Sequence, residues 1–88
     1  MGKHEKTLWR ILGGRSDAGI AFQDLCGLLR RLGFEERIQG DHHIISRNDV
    51  AEIVNLQPLS HQAKPYQIKQ VRNLLLKYQL GVTDDEPL

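Results

Sequence analysis

The chain has 88 residues, 40% hydrophobic and 26% charged, with a formal net charge of +1. That length is one domain with a small core, and that composition excludes disorder of the whole chain. No run approaches the ~20 apolar residues a membrane span needs, and so small a charge excludes a grip on a long duplex tract.

The charge is unevenly spread. The segment Val82–Leu88 holds Asp84, Asp85 and Glu86 and no base. Residues 1–81 therefore keep 12 basic against 8 acidic side chains, a mildly basic body of +4 with an acidic tail. Cys26 is the single cysteine and lies in the apolar run Leu25-Cys26-Gly27-Leu28-Leu29. It reads as a buried small hydrophobe. One cysteine, and no apolar run behind Met1-Gly2-Lys3-His4-Glu5-Lys6, give a cytoplasmic expectation.

Lys6 to Leu12 reads as a short helix, since Leu8, Ile11 and Leu12 recur at i, i+3, i+4 and Gly13-Gly14 stops it. Arg15 to Gly19 is a polar connector. A stronger helix runs from Phe22 to Leu32, with Phe22, Leu25, Leu28, Leu29 and Leu32 on one stripe. Asp24 in its first turn and Arg30 and Arg31 in its last suit the helix dipole, and Gly33 suits a left-handed stop. Three strands follow. Phe34–Gln39 is the first, Gly40-Asp41 a turn or bulge, His42–Arg47 the second, Asn48-Asp49 a hairpin turn, and Val50–Gln57 the third, ended by Pro58. Leu59 to Lys64 is a loop. Pro65 opens a last helix, whose Ile68, Val71, Leu75 and Tyr78 recur at helical spacing to Leu80, before Gly81.

The expected fold is α+β: a three-stranded antiparallel sheet with helices on one face, αβββα, plus an N-terminal helical extension. As a single domain it divides into residues 1–20 (extension), 21–81 (core) and 82–88 (acidic tail). This is the topology of double-stranded RNA-binding domains, and topology alone carries no chemistry.

Chemistry concentrates at His42 and His43. As neighbours opening a strand, they point to opposite faces of the sheet. The one on the open face would stand exposed on rigid backbone, equipped for proton transfer. From spacing alone, such a pair is more often structural than catalytic. His4 and His61 read as surface residues. No CxxC, HExxH, Walker or GxGxxG pattern occurs, and His42 and His43 point apart, so no metal and no cofactor are expected.

From Leu28 to Leu80, roughly 60% of the chain, the sequence resembles the HicA (YcfA-like) family of toxin–antitoxin systems. The matching pieces are LLRRLGF, GDHHII, NLQP and KPYQIKQVRNLLLKY. The glycine–histidine turn is the most specific of them. The helix near residues 4–14 lies outside the common family core. The resemblance implies a fold like the double-stranded RNA-binding domain and a metal-independent ribonuclease that cleaves mRNA. It also implies silencing by a HicB-like antitoxin protein. Its catalytic histidine maps to His42, with Gly40, Asp41 and His43 in support. Where the family usually has serine, this chain has Asp41, and a carboxylate there favours imidazolium and repels phosphate.

On that reading RNA lies across the open sheet face. Lys64, Lys69, Arg47 and Arg37 are candidate phosphate contacts, Lys64 at the N-terminal end of the last helix. His42 takes the 2′-OH proton. Two competing classes are a non-catalytic RNA-binding module and a pure interaction protein.

Overall fold

The apolar stripes and turn residues place every element that the computed structural model contains over the residues it describes, 2–81. In chain order these are α1 (Lys3–Gly13), α2 (Phe22–Arg31), β1 (Glu35–Gln39), β2 (His42–Arg47), β3 (Val50–Leu56) and α3 (Pro65–Lys77). The fold is α+β, with an antiparallel sheet in the order β1-β2-β3. The expected acidic tail, 82–88, lies outside the described residues. Among the described residues no helix is long and apolar enough to cross a membrane.

Two turns fix the sheet's place. Gly33 adopts φ 92° after α2, and Gly40 adopts φ 62° between β1 and β2. Both are left-handed conformations that a Cβ would strain. Phe34 therefore closes the turn after α2 instead of starting β1; its N–H bonds the Leu29 carbonyl and its ring is buried. Register follows: Gln39 pairs with His42, Glu36 with Ile45, Ile44 with Asn55 and Ile45 with Val54. Because side chains alternate, one face carries Glu36, His43, Ile45, Val54 and Leu56 toward the helices. The other carries Arg37, Gln39, His42, Ile44, Ile53 and Asn55 into the open.

The core joins Leu25, Leu28 and Leu29 of α2, Ile45, Val54 and Leu56 of the sheet, and Ile68, Val71 and Leu75 of α3. Leu8 and Ile11 of α1 belong to the same cluster, and Ile11 is 0% exposed. The first helix, read from sequence as an extension, is thus part of the core. Arg72 of α3 fastens it. Its guanidinium donates to both carboxylate oxygens of Asp17 (2.6 and 3.3 Å) and to the Ile11 carbonyl at the end of α1. Helix α3 ends at Lys77, short of the expected Leu80. Gln79 turns left-handed (φ 54°), and the Tyr78 hydroxyl reaches β3 to donate to Glu52 at 2.6 Å.

At the other end of α3, Gln67 is fully buried, with both the nitrogen and the oxygen of its amide hydrogen-bonded. Its amide N–H donates to the Gln57 carbonyl (3.0 Å), and its Oε1 accepts the Lys64 N–H (3.2 Å). A buried amide is tolerated only when satisfied in this way. The pair of bonds pins the start of α3 to the end of β3, beside the β1–β2 turn.

Candidate functional site

Strand β2 begins at His42 because Gly40 supplies the left-handed turn that β1 needs to reverse. Alternation then sends the His42 ring to the open face, where its side chain is 49% exposed. The ring is held from the neighbouring strand: its Nδ1 lies 3.1 Å from Asn55 Oδ1. Amide oxygens only accept, so in the neutral ring this contact puts the proton on Nδ1 and leaves Nε2 with a lone pair. Asp41 Oδ1 stands 3.8 Å from that Nε2. The other Asp41 oxygen accepts a hydrogen bond from Gln57 Nε2 at 2.7 Å, which holds this carboxyl below its ordinary value. The charges of His42 and Lys64 act in the same direction.

The four expected cationic contacts divide. Arg37 lies on the open face, two residues from the Gln39 that pairs with His42. Such diagonal positions are about 7–8 Å apart. Lys64 caps the start of α3, near enough for its charge to act on Asp41. Arg47 is not brought to His42. It sits at the far end of β2, ion-paired with Asp49 at 2.8 Å, with its guanidinium 5.8 Å from the Phe34 ring. Lys69 is exposed on α3, in the helical layer instead of the open face.

His43 points the other way, under α2. Its ring meets Phe22 edge-on at 4.8 Å, and its Nδ1 lies 2.5 Å from Glu36 Oε2. Glu36 also accepts from Arg30 through its other oxygen. Burial pushes this carboxyl up, but the bonds from His43 and Arg30 outweigh it and hold it below the ordinary value. Cys26 completes the group: one donor atom each from Cys26, Glu36 and His43 lies within 4.8 Å of the others. Desolvation, with the Glu36 charge adding, pushes the Cys26 thiol up to about 12. It is therefore no nucleophile at neutral pH. A groove of about 620 Å³ opens beside His43, not His42, and includes Ser60 and His61 in its lining.

Sequence reasoning named His42 and Lys64 but missed Asn55, Gln57 and Glu36. The first two reach His42 and Asp41 only through the β2–β3 register, in which Asn55 pairs with Ile44. Glu36 looked like one of many surface acids.

The depressed carboxyls set an acid limit. Glu36 lies below its ordinary value of 4.5, and Glu52, bonded to Lys77 and Tyr78, lies at about 2. A carboxyl depressed in the folded state stabilises fully above its unfolded value and loses that contribution as pH falls through the folded one. The urea midpoint should therefore hold steady from neutrality to about pH 4.5 and then fall toward pH 2. Glu36→Gln should flatten part of that fall. A midpoint already dropping between pH 7 and 5 would contradict these assignments.

No protein-family model, curated protein or solved structure matches the chain.

Proposed function

We propose that the chain is a HicA-type toxin, an endoribonuclease that cleaves mRNA in the cytoplasm with His42 as its general base. The observation that carries this reading is the state of the His42 ring. It is exposed on a rigid strand, fixed at Nδ1 by Asn55, with Nε2 open to a substrate. The GDHHII segment adds the resemblance to the HicA family.

In the reaction, Nε2 takes the proton of a ribose 2′-OH. The freed oxygen attacks the adjacent phosphorus, and the 5′-oxygen leaves with a proton from solvent. A 2′,3′-cyclic phosphate and a 5′-hydroxyl result. Positive charge develops on the imidazole as it accepts the proton. Asp41, at 3.8 Å, stabilises that charge. The same carboxylate repels the phosphate, and the positive charges of Lys64 and Arg37 offset this. Asp41 so takes a role suited to the base at some cost in RNA affinity. A HicB-like antitoxin would silence the enzyme by covering the open face, where Ile53 (67% exposed) offers an apolar anchor.

The test uses one oligonucleotide in two forms, all-ribo and with a single 2′-deoxy residue at the cleaved position. Cleavage of the first and none of the second at that position, in the presence of EDTA, is the expected result. Binding of both without cleavage would replace the nuclease by an RNA-binding module.

A further inference from the structure

The covered edge of the sheet carries a second constellation that the open-face chemistry does not use. Cys26 on α2, Glu36 on β1 and His43 on β2 converge from three elements, with donor atoms within 4.8 Å of one another. We propose that these three side chains bind a divalent transition-metal ion of the zinc class, which staples α2 to the sheet.

The donor set decides the class of ion. Thiolate, imidazole and carboxylate together suit Zn²⁺ or Co²⁺, whereas Mg²⁺ and Ca²⁺ take oxygen donors. Zinc places sulfur at about 2.3 Å and nitrogen or oxygen at about 2.0–2.2 Å, so tetrahedral donors stand roughly 3.3–3.7 Å apart. The present atoms bracket that range. The His43–Glu36 contact, at 2.5 Å, must open by about an ångström, and the widest separation, 4.8 Å, must close by a similar amount. Both are side-chain movements.

The surroundings fit an ion. Arg30 holds the second Glu36 oxygen, which orients the carboxylate as an outer partner does in metal sites. The Arg30 side chain is 54% exposed, so solvent screens its repulsion. A groove of about 490 Å³ reaches Cys26, Glu36 and His43 from solvent and includes His4 and Asp24 in its lining. It gives an entry path and leaves the fourth coordination position to a water oxygen. Charge balances: the ion enters, the Cys26 thiol and the His43–Glu36 pair give up any proton held between donors, and those protons go to solvent. The bound centre then sets two positive charges against a thiolate and a carboxylate.

The probe is Co²⁺, then Zn²⁺, added to the purified full chain after EDTA treatment. One equivalent of Co²⁺ should give a sulfur-to-cobalt charge-transfer band and tetrahedral visible bands, both bleached by Zn²⁺. Zn²⁺ should also raise the Tm. Cys26→Ser should lose the charge-transfer band, and His43→Ala should weaken binding by more than the roughly 10–100-fold that loss of an outer partner costs. His42→Ala should leave both unchanged. Should a variant fail to fold, the wild-type spectrum alone decides: a thiolate band supports the site and its absence overturns it. Binding that survives both Cys26→Ser and His43→Ala would assign the ion to surface imidazoles instead, and would also overturn the site.

Discussion

His42→Ala should leave a folded protein that cleaves RNA on the order of 10²–10⁴-fold more slowly, the usual weight of one general base. The ring is 49% exposed and packs against nothing in the core, so stability should shift by no more than about 0.5 kcal/mol. Asn55→Ala tests the same geometry at one remove. It frees the ring to rotate and to exchange tautomers, and should cost roughly 10-fold or more in rate with little change in substrate affinity. A changed pH–rate profile in Asn55→Ala would mark the tautomer effect, which a merely structural role would not produce. His43→Ala makes the necessary contrast. Its loss removes the Phe22 contact and the Glu36 bond, so stability should fall by about 1–3 kcal/mol. The folded fraction should still cleave. An active His42→Ala beside an inactive but folded His43→Ala would move the chemistry to the covered face.

The largest effect on stability should come from Leu29→Ala. Leu29 is 0% exposed and faces the layer between α2 and the sheet. Truncating a fully buried leucine removes its transfer free energy and leaves a cavity that the close-packed surroundings fill only in part, at about 2–5 kcal/mol. A domain of this size has about 5–15 kcal/mol in total at most. A loss near 3 kcal/mol corresponds to a Tm lower by roughly 12–24 °C. Ile53→Ala is the control. Ile53 is of similar size and apolarity but 67% exposed on the open face, and its removal should cost less than about 0.5 kcal/mol. Equal losses at the two positions would mean that the open face is covered in solution.

Much of the architecture was legible because local signals agreed with one another. Gly33 and Gly40 marked the ends of α2 and β1, and both take the left-handed conformation. The bounds of β2, His42 to Arg47, follow from the Gly40-Asp41 and Asn48-Asp49 turns on either side. The period-2 rule then separated His42 from His43. Relations across the chain were not legible. Asn55 meets His42 only because Ile44 pairs with Asn55, and no short-range pattern specifies that register. Arg47 read as a free cation because its fate depends on how the hairpin turn aims Asp49. The absence of a CxxC or HExxH pattern suggested no metal site. Yet Cys26, Glu36 and His43 reach one point from three separate elements, and no spacing within a single element records that.

The Arg72–Asp17 clasp has a consequence for how the protein is made. The three strands are sequential neighbours and can pair as they leave the ribosome. The clasp cannot form so early, because Arg72 is synthesised 55 residues after its carboxylate partner. Ile68, Val71 and Leu75, which complete the core over α1 and α2, emerge with it. Helix α1 must wait, with Ile11 uncovered, until α3 has been translated. Nascent chains stalled before α3 would therefore expose their apolar stripes to chaperones and proteases, and the native domain would appear only once α3 has emerged.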